Sequence, residues 1–137
     1  MKDVSGTDAN IALVQSMYAA FSRGDIPAIL QLVSADVQFD NSDSAEMPYR
    51  GTYRGKDGVG KFFADIGGAV EVTSFEPKMY LASGDDVMTT GAWSGIARNT
   101  GRPFKSQWAM RFVVKNGKAT YAHVYEDTAV TAAAFRS

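Results

Sequence analysis

Near the start of the chain, apolar residues recur every three or four positions: Ile11, Val14, Tyr18 and Phe21, widened by Leu13 and Met17. At 3.6 residues per turn these fall on one face, so the spacing predicts an amphipathic helix. Thr7 or Asp8 can cap its start with a side-chain oxygen. Gly24 marks its stop. Asp25 is placed as a second cap, with Pro27 in the first turn, where its missing N–H costs little. Ile26, Ile29, Leu30 and Val33 carry the spacing on, so residues 8–34 read as two helices meeting at SRGD.

Residues 37–40, VQFD, alternate apolar and polar like a strand. Residues 41–56 are polar and rich in turn formers, and read as a long loop; loops of that length are either functional or disordered. Val59, Phe62, Phe63 and Ile66 predict a third helix over 57–66, ended by Gly67-Gly68. From there the pattern is strand-like. Residues 70–82 carry Pro77, which suggests an edge or a bulge. Residues 87–98, 102–115 and 118–128 read as three long strands, with turns at SGDD, NTG and KNG. Asn116-Gly117 is a hairpin signal, because both residues tolerate positive φ. The order is helices first, then a long antiparallel meander. That makes an α+β domain with one sheet face buried by helices. Gly91 and Gly95 are placed to bend the sheet, and a curled sheet closed by helices encloses a cavity.

Composition narrows the chemistry. A length of 137 residues fits one domain, and 45% hydrophobic with 21% charged residues suits a folded core. A net charge of -1 gives no footprint for nucleic acid or an anionic membrane surface. Cysteine is absent, which removes disulfides and thiolate chemistry, and with a single histidine a zinc site would need carboxylates for nearly all its ligands. No cofactor or metal is expected. MKDVSGTDAN is not a secretory signal and no apolar run is long enough to span a bilayer, so a cytoplasmic location is the default expectation.

Three segments together carry a resemblance: YAAFSRGDIPAILQLVSADVQFD, YRGTYRGKDGVGKFFADI and GRPFKSQWAMRFVVKNGKATYAHVYEDTAV. Their order resembles the SnoaL-like proteins of the nuclear-transport-factor-2-like superfamily, which also holds ketosteroid isomerases and polyketide cyclases. The resemblance spans residues 10–130. It implies one domain over 1–137, with its core at about 8–130: a cone of three helices packed on a strongly curved antiparallel sheet. It also implies an apolar pocket at the open end, and homodimers through the outer sheet face.

The resemblance also excludes. The isomerase oxyanion tyrosine falls on Met17, its base on Asn41 and its supporting tyrosine on Phe63. Its oxyanion aspartate falls on Ala109, or with a one-residue gap on Trp108 or Met110. None of these residues is acidic, so ketosteroid isomerisation is rejected. One slip of alignment restores Asp40 as a base, but nothing else. The final-strand aspartate of limonene-epoxide-hydrolase-like enzymes falls on Val124, and the two histidines of scytalone-dehydratase-like enzymes are not available.

The last strand holds the only histidine, in YAHVYED. Alternation puts Tyr121, His123, Tyr125 and Asp127 on one face and Ala122, Val124 and Glu126 on the other. The resemblance turns the second face to the cavity. Glu126 is then either an acid or base among apolar walls or, as favoured, a solvated strand end near the mouth. His123 with Tyr121 and Tyr125 is either a proton shuttle or, as favoured, part of a dimer contact. Asp40 and Asn41 end the first strand, where a bulge decides which points inward; Asn41 could equally form a turn with Ser42. Trp93, Trp108 and Met110 form a ligand platform or core. Tyr49, Arg50, Tyr53 and Arg54 are loop residues that could close over a ligand or bind an acidic group, or, as favoured, belong to a solvated loop held by Gly51 and Gly55. The sequence therefore points to binding of a small, mostly apolar molecule in the cone. Glu126 or Asp40 would handle a proton in a cyclisation, dehydration or isomerisation. Met17, Tyr18, Asn41, Tyr53, Phe63, Trp93, Trp108, Met110 and Val124 would contact the ligand. The alternatives are a non-catalytic binding module and a dimeric interaction domain.

Overall fold

The structure is a computed structural model that describes residues 4–41 and 46–136. Helix α1, Val4–Arg23, packs with α2, Ile26–Leu30, and the two are separated by the expected cap: Asp25 Oδ1 accepts from the Ala28 N–H at 3.2 Å. Strand β1, Val33–Asn41, and the short β2, Gly51–Arg54, precede α3, Gly55–Ala69. Four long strands follow: β3, Val70–Ser83; β4, Asp86–Ala97; β5, Pro103–Lys115; and β6, Lys118–Glu126. A last helix, α4, spans Thr128–Phe135. No described helix is long and apolar enough to cross a membrane.

The strands form one six-stranded sheet in the order β2-β1-β6-β5-β4-β3. Every neighbouring pair is antiparallel except β1 and β6, which run parallel, so the sheet is mixed where the sequence predicts an antiparallel one. The β5–β6 turn has the expected hairpin form, with φ of 53° at Asn116 and 73° at Gly117. Pro77 lies on the edge strand β3 beside a register shift, so both expectations for it hold.

Other elements depart from the pattern. Thr7 and Asp8 lie inside α1 rather than capping it. The second helix is only five residues long, because Val33, fully buried, already belongs to β1. The loop over 41–56 contains β2, whose four residues pair with β1 from Gln38↔Arg54 to Asn41↔Gly51. Helix α3 runs through Gly67-Gly68 to Ala69. Burial of Val59, Phe62, Ile66 and Ala69 outweighs the roughly 1 kcal/mol that each glycine costs a helix. The last strand stops at Glu126, and Asp127 then caps α4 by accepting from the Val130 N–H. This makes four helices among the described residues where three are expected.

Helices α1 and α3 cover one face of the curved sheet. Val14, Phe39, Val59 and Phe112 are all at most 2% exposed at that interface. Rings mesh edge to face across it: Phe39 meets Phe62 at 5.8 Å and Tyr18 meets Phe112 at 5.9 Å between centroids.

Candidate functional site

Alternation along β4, β5 and β6 aims one set of side chains at the helices. On β5 and β6 the facing pairs are Phe112↔Ala122, Met110↔Val124 and Trp108↔Glu126. The only register shift between these two strands lies at Val113/Val114, before these pairs, so the alternation read from YAHVYED survives. These residues wall a cavity of about 80 Å³ between sheet and helices. Its wall is almost wholly apolar: Met17, Tyr18 and Phe21 from α1, Phe62, Phe63 and Ile66 from α3, and rings from the sheet.

Among the described residues, Glu126 is the one carboxylate in that wall. Thr131 Oγ1, from α4, donates to its Oε2 at 3.0 Å, and the Trp93 indole N–H donates to the same oxygen at 3.4 Å. Among the described residues, neither bond falls on Oε1. Burial pushes the carboxyl up from its usual 4.5 to about 7, against the opposing pull of the Thr131 and Trp93 hydrogen bonds; the nearby Asp127 charge adds to the rise. A carboxyl poised there can give or take a proton at neutral pH.

The other polar groups of the wall are fixed. Tyr18 Oη and Thr89 Oγ1 share a hydrogen bond of 2.6 Å, and burial raises the Tyr18 phenol above its ordinary value. The Asn41 side chain, 7% exposed, donates through Nδ2 to the Tyr49 carbonyl at 2.9 Å. Whether Asn41 also turns with Ser42 falls outside the described residues. Trp108 lies flat on Phe75, with centroids 5.1 Å apart and planes at 8°. Gly91 makes room for it: a Cβ there would stand 2.8 Å from Trp108 Cε2. Gly91 therefore admits the close approach of the indole, and the two register shifts of the β3–β4 pair fall opposite Gly91 and Gly95, with the extra residue on β3.

Of the sequence-derived site residues, Met17, Tyr18, Asn41, Phe63, Trp93, Trp108, Met110, Val124 and Glu126 all line the cavity. Two do not. Asp40 points to the outer face: Tyr121 Oη donates to its Oδ2 at 2.6 Å and Thr52 Oγ1 to its Oδ1 at 2.8 Å, with Gln38 Nε2 nearby at 3.2 Å. The bulge that could have turned it inward lies earlier in β1, between Val33 and Gln38, so Asn41 is the inward residue. Tyr53 faces α3, where its ring packs on Phe62 and its hydroxyl donates to Asp65 at 2.9 Å. His123 is opposite Arg111 on the outer face; its ring stacks on Tyr125 at 4.1 Å, and its Nδ1 lies 3.2 Å from Tyr121 Oη.

Sequence reasoning did not single out Thr131, which belongs to the helix it missed, or Tyr49 as a buried wall. Tyr49 is 1% exposed and its ring meets Trp93 and Phe135, each at 6.2 Å. The apolar Met47-Pro48-Tyr49 run inside a polar loop was the available signal.

Comparison with known proteins follows this geometry. Residues 14–122 match the family model of the SnoaL-like domain. An uncharacterised protein of Mycobacterium tuberculosis is 29% identical over 126 residues, covering 90% of this chain and 94% of its own. The fold is that of an NTF2-like protein from Burkholderia xenovorans, with a TM-score of 0.85 at 27% identity over 95% of this chain and 98% of that one. TerC, crystallised with polyporic acid, superposes with a TM-score of 0.84 at 23% identity, covering 94% and 99% of the two chains.

Proposed function

The chain belongs to the SnoaL-like domain family, and on that footing we propose that it binds a small, mostly apolar organic molecule in its cone, with Glu126 as the acid or base of a cyclisation, dehydration or isomerisation. One observation carries this reading. Among the described residues, a single carboxylate, raised to about 7, stands in an almost wholly apolar wall with only one of its oxygens hydrogen-bonded. An apolar cavity supplies binding and orientation, and one poised acid supplies the proton step. TerC, which shares the fold, was co-crystallised with an organic molecule, polyporic acid.

The test starts with native mass spectrometry of the purified protein, to identify what it carries. Turnover of that molecule is then compared in two variants. Glu126→Gln should lower it by about 10²–10⁴-fold, the usual weight of a general acid or base. Asp40→Asn, on the outer face, should leave it unchanged. Equal turnover in wild type and Glu126→Gln would refute the catalytic part. A non-catalytic binding module is the second reading, favoured by the uncharged residues at the isomerase positions: Met17, Asn41 and Phe63. Tight binding with no turnover by wild type would select it.

The outer sheet face is the proposed contact with a second copy. Leu81, Met88, Arg111, His123 and Asp40 form one cross-strand row there, beside Tyr125. Leu81 is 60%, Tyr125 49% and Met88 41% exposed, and a contiguous exposed apolar patch is what marks a protein contact. Sedimentation should give a dimer, and Tyr125→Asp should give a monomer.

A further inference from the structure

Glu126 is a partly buried carboxylate without a counter-charge. Among the described residues, no lysine or arginine stands in the cavity wall, and none of the four ion pairs includes Glu126. The one charge that acts on it is Asp127, another anion. Charges taken out of water are ordinarily paired, because a lone one is costly.

One oxygen of this carboxylate is open. Oε2 accepts from Thr131 and Trp93, and neither bond falls on Oε1. Among the described residues, the sealed side-chain polar atoms without a partner are Tyr49 Oη and Trp108 Nε1, so the unpartnered Oε1 is accessible. Rings stand around it. Trp93 holds the carboxyl through its N–H, Trp108 is the partner across the β5–β6 ladder, and the Tyr49 phenol feels the Glu126 charge. All three line the cavity. The faces of aromatic rings are negative, so such a wall favours a cation and disfavours an anion.

We propose that the molecule held in the cone is a small apolar amine whose nitrogen sits at Glu126 Oε1 among these rings. This rests on the binding reading above and adds the chemical class of the ligand. An amine that enters neutral takes the Glu126 proton: the carboxyl O–H breaks, an N–H forms on the nitrogen lone pair, and ammonium faces carboxylate. An amine that arrives as ammonium pairs directly with the charged carboxylate. Either route ends in a charge-assisted N–H···O bond and supplies the missing counter-charge. The cavity of about 80 Å³ suits a short branched alkyl body, since benzene occupies an engineered cavity of about 150 Å³.

Isobutylamine and isobutyl alcohol test this, because they share a carbon body and differ in nitrogen against oxygen. Trp93 and Trp108 are the only tryptophans and both line the cavity, so their indole N–H signals report binding in NMR titrations. At pH 8 the amine should bind wild type about 10-fold tighter than the alcohol or better, the weight of a charge-assisted bond. Glu126→Gln should bring the ratio of the two Kd values close to 1. An amine bound no tighter than the alcohol by wild type, or a preference that survives in Glu126→Gln, overturns the amine class and leaves the binding reading intact. Failure of both probes to bind at high millimolar concentration overturns the two together. Wild type alone gives a second readout. The Trp93 N–H is bonded to Glu126, so its shift follows the titration of the carboxyl. Saturating amine should lower the midpoint from about 7 by about one pH unit or more, since an adjacent cation favours the carboxylate, and the alcohol should not. A midpoint that the amine leaves unmoved overturns the proposal.

Discussion

Asp40 and Glu126 sit on adjacent strands, β1 and β6, and face opposite ways. From sequence both are candidate proton handlers. In the fold their environments drive them apart. For Asp40, burial raises the pKa, but donors from Tyr121, Thr52 and Gln38 and the nearby His123 outweigh it, and the carboxyl is held below its ordinary value. For Glu126, burial dominates and two donors to one oxygen do not offset it, so the carboxyl is pushed up to about 7. The difference is the ratio of donors to lost water, not the residue type. The outer acid is held as an anion by its donors; the inner one keeps its proton to a higher pH.

The largest test of this contrast is pH. The folded chain holds the Glu126 proton more tightly than the unfolded chain. The stability this gives is therefore fully present below the usual 4.5 and is lost as pH rises to about 7, on the order of 3 kcal/mol over the window. Urea denaturation should show that Glu126→Gln removes this loss, so that the variant exceeds wild type at pH 8 and not at pH 4.5. A pH-independent difference would mean that Glu126 titrates as an ordinary carboxylate. Asp40 works in the other direction: its contribution is present above its ordinary value and is lost as pH falls below it.

Next in size, Thr131→Val keeps the shape of a fully buried side chain and deletes one donor to Glu126. It should cost about 2 kcal/mol at pH 8, where the carboxylate is charged, and less at pH 5. Equal costs at both values would detach Thr131 from the Glu126 charge. Tyr121→Phe should cost about 1 kcal/mol at neutral pH by the same logic on the outer face, where Thr52 and Gln38 still hold Asp40. Carbon-detected NMR titration should show the Asp40 pKa rising and that of Glu126 unmoved. Smallest of all, His123→Ala loses a ring stack on Tyr125, about 0.5–1 kcal/mol, and should leave the midpoint of Glu126 titration where it was.

Much of this arrangement was legible in the chain. Period-two alternation in YAHVYED separates Glu126 from His123, and the structure keeps that separation because the β5–β6 register shift falls before it. Helical spacing finds α1 and α3, and Asp25 announces its cap. What escaped was what local pattern does not encode. TAVTAAAF is apolar nearly all round, so α4 shows no stripe, and only the Asp127 cap hinted at it. GTYR is too short to alternate convincingly and becomes a strand only because β1 offers an edge. The facing of Asp40 depended on where β1 slips against β6, which is a property of two strands and not of either sequence.

That pairing of β1 with β6 has a consequence for the order in which the molecule is assembled. The Tyr121–Asp40 bond joins residues 81 positions apart, and β1 has no partner on that side until β6 has formed. Closing so long a loop is entropically slow, so the parallel seam belongs to the late part of folding. Asn41 and Glu126 lie at the ends of those two strands, and the walls of the cavity therefore meet only when the seam zips. Until then β1 presents an open edge and an apolar face to its surroundings, the state in which a chain of this design is most open to misassociation.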